Sequence, residues 1–229
     1  ETELLERIVS TLARGLTVPV SCKIRLVPGE LHRTVELCQR LERAGAKMIT
    51  VHGRFRTQNK QTIGSADWDA IRAVKRAVSV PVLANGSVSG PEDVARCVAH
   101  TGVDAVMTCE AILENPRLFG SEGLHADPFH VALEYLELAK AHSNLQPKVA
   151  KPHLFKMLFG TLPQHKDYYA RLGSAPSLDA LEAVVKELQH MHRAGSPPAC
   201  SDPLCGTFRD GPWYNRYRAA TDPNAPPRL

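Results

Sequence analysis

The chain has 229 residues, 43% apolar and 23% charged, with a formal net charge of +4. That is an ordinary composition for a globular protein of one large or two small domains, and the charge alone does not single out nucleic acid as a partner. No run approaches the roughly 20 apolar residues that a membrane-crossing helix needs.

The N-terminus, Glu1-Thr2-Glu3, is acidic and opens directly into a helical pattern, so no secretory signal is expected, and the absent initiator methionine suggests a fragment or processed chain. Four of the six cysteines, Cys22, Cys38, Cys97 and Cys109, sit inside apolar helix or strand patterns, where a free thiol behaves as a small hydrophobe. Cys200 and Cys205 lie near the C-terminus. This usage fits a reducing compartment, cytoplasmic or nuclear, better than a disulfide scaffold.

Residues 1–15 read as a helix with Leu4, Leu5, Ile8, Val9 and Leu12 on one face and Gly15 placed to end it. A β-rich run follows at 18–24. The next helix spans 31–44, with Leu31, Val35, Cys38 and Leu41 on one stripe. Met48–Val51 reads as a buried strand that stops on His52-Gly53-Arg54, and residues 54–65 read as a polar loop long enough to be functional. A helix from Asp67 to Val78 leads into the strand Val80–Ala84 and then Asn85-Gly86-Ser87. Pro91 with Glu92 and Asp93 marks the start of another helix, because proline and acids suit a first turn. Val103–Thr108 is a fourth strand, and a short helix spans 111–119.

The strand ends recur about 25–35 residues apart, the length a strand–helix–strand crossover needs. Two architectures satisfy this. One is an open four-stranded α/β sheet. The other is half of a (β/α)8 TIM barrel, since a whole barrel takes about 250 residues. After Asp127 the β pattern disappears. Helices are expected at 128–143, 149–160 and 164–172, with a last one starting from Ser177 as its cap. This divides the chain into a strand–helix part at 1–123, a small all-α part at 124–194, and a tail at 195–229. The tail holds seven of the 17 prolines, so an irregular, disordered segment is expected there.

The chemistry-bearing residues fall at the carboxyl ends of the strands: Lys23 and Arg25, His52 and Arg54, Asn85-Gly86-Ser87, and Cys109-Glu110. In a barrel these ends converge on one mouth. Cations, an imidazole and backbone amides freed by glycine suit a ligand with a phosphate and a polarisable ring. Separately, histidine at a strand end also occurs as a structural residue, and Asn-Gly also marks a plain turn.

The stretches VPVSCKIRL, AGAKMITVHGRFRTQ, VPVLANGSVSGPEDV and GVDAVMTCEAILENPRLF, in that order, resemble the flavin-dependent tRNA-dihydrouridine synthases over residues 15–120. The Cys109-Glu110 pair, where many members carry Gly-Arg, is similar to the eukaryotic 16/17 subgroup. The resemblance implies the C-terminal half of a TIM barrel followed by an RNA-binding helical domain. It also implies FMN as cofactor, NADPH as reductant, and reduction of a tRNA D-loop uridine to 5,6-dihydrouridine. By the same resemblance Lys23 would lie at the pyrimidine edge of the flavin, and His52 at the flavin or its phosphate arm. Asn85, Gly86 and Ser87 would lie at the phosphate, with Cys109 and Glu110 completing that end through their backbone. Arg54, in the loop expected to face substrate, has the weaker claim.

The family's general acid is a cysteine in an Asn-x-Gly-Cys-Pro motif, and this sequence contains no such motif. A catalytic residue is therefore not assigned, and the chain alone is not expected to be active. Two other readings stand beside the first: a non-catalytic tRNA-binding fragment or truncated isoform, and an FMN-barrel oxidoreductase acting on a small molecule. Residues 147–173 carry Lys148, Lys151, Lys156, Lys166 and Arg171 against Asp167, interleaved with Phe155, Phe159, Tyr168 and Tyr169. A basic face with aromatics suits tRNA, and equally a solvated face over a small core. His190, His192, Cys200 and Cys205 are metal-ligand types at irregular spacing, so no metal is assigned.

Overall fold

The structure, a computed structural model, describes residues 2–58, 64–142, 145–162 and 165–195. Its elements run α1 (Thr2–Gly15), β1 (Ser21–Leu26), α2 (Leu31–Arg43), β2 (Met48–Phe55), α3 (Trp68–Ala77), β3 (Val82–Asn85), α4 (Pro91–Thr101) and β4 (Ala105–Met107). Five helices follow: α5 (Glu110–Glu114), α6 (Pro128–Ala141), α7 (Pro147–Met157), α8 (Lys166–Ser174) and α9 (Leu178–Gly195). The described chain divides into two compact units at Cys109/Glu110, so α5 groups with the later helices.

The first unit is an α/β layer. Its four strands are all parallel and lie in chain order, β1-β2-β3-β4. Right-handed crossovers in an order that never reverses place every connecting helix on the same face. That face carries Ile49, Val51, Val82 and Ala84, which pack with Cys38 and Leu41 of α2, Ile71 and Val74 of α3, and Cys97 of α4. Leu41, Ile49 and Ile71 are essentially fully buried, and each such side chain contributes about 1.5–3 kcal/mol by leaving water. Strand side chains alternate between faces. The opposite face therefore carries two rows in register: Lys23, Thr50, Leu83 and Ala105, then Arg25, His52, Asn85 and Met107.

Side chains at the helix ends set where the elements begin. Asp67 accepts the Ala70 N–H at 2.8 Å and so caps α3. The Thr34 hydroxyl on α2 accepts the Val27 N–H at 3.0 Å. The Glu42 carboxylate accepts the N–H groups of Ser79 (2.7 Å) and Val80 (3.0 Å). Because Val80 gives its N–H to a side chain, β3 starts at Val82 rather than at Val80, where the sequence pattern begins. β2 is longer than the pattern predicts. After an irregularity in β1, Leu26 pairs with Phe55, which draws Gly53, Arg54 and Phe55 into the sheet. The apolar stripe of α1 is largely uncovered: Val9 is buried, but Leu4, Ile8 and Leu12 stay 42–56% exposed.

The second unit is all-α. Leu136 of α6, Leu154 of α7, Leu172 of α8 and Leu181, Val185 and Leu188 of α9 form its core. Asp127 caps α6 through the Phe129 N–H at 2.8 Å, and Ser177 caps the start of α9 through the Ala180 N–H at 3.1 Å. Lys140 of α6 is paired with Asp179 and Glu182 at the α9 end. Among the described residues no helix is long and apolar enough to cross a membrane. The tail expected from residue 195 lies, after Gly195, outside the described residues.

Candidate functional site at the strand ends

The carboxyl edge of the sheet gathers the polar residues of the first unit. His52 stands in register with Arg25 on one side and Asn85 on the other. Immediately after β3 come two left-handed residues, Gly86 at φ +103° and Ser87 at φ +58°, the latter the one non-glycine with positive φ among the described residues. A β-carbon on Gly86 would lie 2.8 Å from Ala66 Cβ and 3.0 Å from His52 Cδ2, so only glycine fits against the imidazole. Two consecutive positive-φ residues turn the chain sharply as it leaves β3.

Three side chains hold this turn. The Trp68 indole donates Nε1–H to the Gly86 carbonyl at 3.2 Å. The Ser87 hydroxyl accepts the Ala66 N–H at 2.8 Å and an Arg54 N–H at 3.4 Å. The Asn85 amide donates Nδ2–H to the Met107 carbonyl at 2.8 Å, which clamps β3 to β4. Asn85 is buried. Its nitrogen therefore serves the sheet, and what it lends to the turn is position.

Arg54 departs most from its sequence-based placement. It was expected in a loop facing substrate. It lies instead on β2 with no exposed surface, because β2 extends to Phe55 and residues 64–66 fold over it. Its Nε–H goes to the Gly64 carbonyl at 3.0 Å and Nη1 lies 3.2 Å from His52 Nε2. A guanidinium only donates, so this contact is a hydrogen bond when the Nε2 of His52 carries no proton.

Lys23 is exposed on the same face. Loss of surrounding water, then the neighbouring Arg25 charge, pull its ammonium pKa below the usual value, while Cys109 acts in the opposite direction. Arg25 donates to the carbonyls of Phe55 (2.8 Å) and Gln58 (3.3 Å), which fastens the start of the β2–α3 loop. Neither register row on this face contains a carboxylate, so the edge presents cations. Cys109 is an exposed free thiol closing the first unit. Glu110 opens α5 in the second unit. Trp68 and the residues 64–66 that cover Arg54 had no signal in the sequence, since they reach the site only through chain folding.

The basic stretch of the second unit is partly self-satisfied. Lys151 donates to the Gly173 carbonyl at 2.7 Å. Arg171 pairs with Glu187 at 2.6 Å, with its guanidinium 4.9 Å from the Tyr168 ring centre. Lys148 and Lys166 are exposed, and Lys156 is half-buried. Phe155 meets Tyr169 at a tilt, ring centres 4.6 Å apart, and packs against the helical core, while Tyr169 stays 55% exposed. His192 packs against the Phe129 ring at 5.4 Å, and His190 is exposed. Cys200 and Cys205 lie outside the described residues. Among the described residues no three metal-ligating side chains converge.

Comparison with known proteins gives the family. The dihydrouridine synthase family profile matches residues 1–195. A mouse (Mus musculus) tRNA-dihydrouridine(16/17) synthase-like protein is 39% identical over 189 residues, which is 82% of this chain and 39% of that protein. The Saccharomyces cerevisiae tRNA-dihydrouridine(16/17) synthase is 33% identical over 184 residues, covering 76% of this chain and 43% of the yeast protein. The chain thus spans about two fifths of the length of these relatives. A solved phosphonopyruvate hydrolase aligns over 85% of this chain and 76% of its own at 13% identity, with a TM-score of 0.43. The match across residues 1–195 and the similarity to the 16/17 proteins lead to one conclusion: this chain belongs to the dihydrouridine synthase family.

Proposed function

We propose that this chain forms part of the cofactor and substrate surface of an intracellular tRNA-dihydrouridine synthase, an oxidoreductase that uses FMN and NADPH. In this reading residues 1–123 contain the C-terminal wall of a (β/α)8 barrel, and residues 124–194 are the tRNA-binding helical part. The unreversed strand order with helices on one face supports a barrel wall, because a doubly wound sheet needs a reversal that places helices on both faces.

One observation carries the cofactor assignment. A left-handed turn that admits only glycine at Gly86 abuts His52, on the same sheet face as Lys23 and Arg25. Residues 86 and 87 would take the phosphate through their amides, with Lys23 toward the anionic edge of the ring system and His52 donating from Nδ1. Cys109 and Glu110 would add backbone contacts. FMN, when bound, supplies the hydride for the uridine 5,6 double bond after reduction by NADPH. The chain's own part is to hold the cofactor and bind tRNA through exposed cations such as Lys148 and Lys166. The proton for the uridine has no donor motif in this sequence, so catalysis needs a group this chain does not supply.

The test is a titration of the purified chain with FMN, read by visible absorbance, alongside a tRNA mobility shift. Bound flavin with a perturbed spectrum supports the reading. A colourless protein that still shifts tRNA favours the second reading, a non-catalytic tRNA-binding fragment, which the missing Asn-x-Gly-Cys-Pro motif also favours. Flavin bound without tRNA favours a barrel oxidoreductase for small molecules.

A further inference from the structure

We propose that Arg54 is a positioning residue, one that sets the imidazole tautomer of His52 and the shape of the turn after β3 without itself touching the ligand. A guanidinium with no exposed surface is costly to bury and persists where its N–H groups are matched. Here they reach three separate segments: the Gly64 carbonyl before α3 at 3.0 Å, His52 Nε2 on β2 at 3.2 Å, and Ser87 Oγ after β3 at 3.4 Å. The planar fork of arginine suits three acceptors in different directions, whereas an ammonium is a point donor.

Two consequences follow. Since Arg54 always carries its charge and only donates, His52 meets it with a bare Nε2, and the imidazole proton sits on Nδ1. His52 thereby acts as a neutral donor, and the positive charge around it comes from Arg54, Lys23 and Arg25. At the other branch, Arg54 and the Ala66 N–H both engage the hydroxyl of Ser87, which holds a non-glycine residue at φ +58°. Left-handed backbone is disfavoured at such a residue and needs support from its surroundings. One buried side chain therefore couples the imidazole and the phosphate turn.

This inference rests on the flavin reading for the identity of the ligand, though not for the tautomer. The test uses the full chain, labelled with 15N, and reads the protonation of each imidazole nitrogen by two-dimensional NMR, with His52→Gln to assign the signal. The wild-type chain is expected to show His52 protonated at Nδ1 and bare at Nε2. Arg54→Met and Arg54→Gln, which remove the obligate donor, are expected to shift the ring toward the Nε2–H form and to weaken FMN binding about tenfold, the scale of one lost charge-assisted hydrogen bond. A merely structural arginine would lower stability on substitution and leave the tautomer of the folded protein unchanged, which overturns the proposal. Should Arg54→Met not fold, the wild-type spectrum and Arg54→Gln decide, and a wild-type His52 protonated at Nε2 also overturns it. If the tautomer depends on Arg54 while wild-type protein takes up no FMN, the positioning role stands and the flavin reading fails.

Discussion

Gly86→Ala is the sharpest perturbation of the strand-end site. At φ +103° an alanine leaves the region open to L-residues, and its β-carbon would sit 2.8 Å from Ala66 Cβ and 3.0 Å from His52 Cδ2, where ordinary contact begins near 3.4 Å. The conformational part is about 1–2 kcal/mol, and relieving the overlap costs about 1–3 kcal/mol more. A loss of about 3 kcal/mol is expected. Gly102 supplies the control. It is also left-handed, at φ +70°, but a β-carbon there meets nothing within 4 Å. Gly102→Ala should cost only the conformational part, about 1 kcal/mol. The assay is urea unfolding followed by Trp68 fluorescence in a Trp213→Phe background, so that the signal comes from the sheet unit. FMN affinity is read on the same samples and should fall with Gly86→Ala, because the imidazole must move, and hold with Gly102→Ala. Equal losses of stability for the two variants would refute the close approach of the turn to His52.

Asp104 tests the sheet's capping by charge. Its carboxylate accepts from Lys75 Nζ and the Val82 N–H, both at 2.7 Å, and these bonds, Lys75 first, hold its pKa below 3.8. A depressed carboxylate contributes stability above its unfolded pKa and loses it as pH falls through the folded value. With 43% of the side chain exposed, Asp104→Asn should cost about 1 kcal/mol at pH 7, and the difference from wild type should shrink as pH falls below 3.8; a pH-independent gap in urea midpoints contradicts this. In the helical unit, the Lys148→Glu, Lys166→Glu pair should weaken tRNA binding and reduce the slope of log affinity against log salt by about two; an unchanged slope removes these lysines from the interface. Burial pushes the Cys38 thiol up to about 12, whereas Cys109 is exposed. Maleimide labelling mapped by mass spectrometry should modify Cys109 in minutes and spare Cys38 until the chain unfolds.

The elements that announce themselves in sequence are those whose stabilising partners are close in the chain. Pro91 opening α4 and the Gly102 that ends it need only local backbone chemistry. The burial of Arg54 does not, because its acceptors Gly64 and Ser87 are 10 and 33 residues away. A His-Gly-Arg string reads the same whether the arginine faces solvent or folds under a loop. The exposure of Leu4, Ile8 and Leu12 on α1 has the same origin: periodicity identifies an apolar face, and only the arrangement of neighbours decides whether anything covers it. For Lys151 and Arg171, sequence supplies the charge. The Gly173 carbonyl and Glu187 that engage them come from other turns and helices.

The chemistry of the sheet edge follows from its register. Parallel pairing without reversal places Arg25, His52, Asn85 and Met107 in one row and Lys23 two residues behind it, on the face opposite the helices. Had the imidazole been charged, it would be a fourth cation beside Lys23, Arg25 and Arg54. The Arg54 contact keeps His52 neutral, and Asn85 contributes a dipole that is already used on β4. What remains is Lys23 beside Arg25, a like-charged pair that depresses the lysine further after its loss of water. An anion bound beside these cations would relieve that repulsion. The phosphate-bearing ligand proposed above would meet both the cations of β1 and the turn after β3 at this edge.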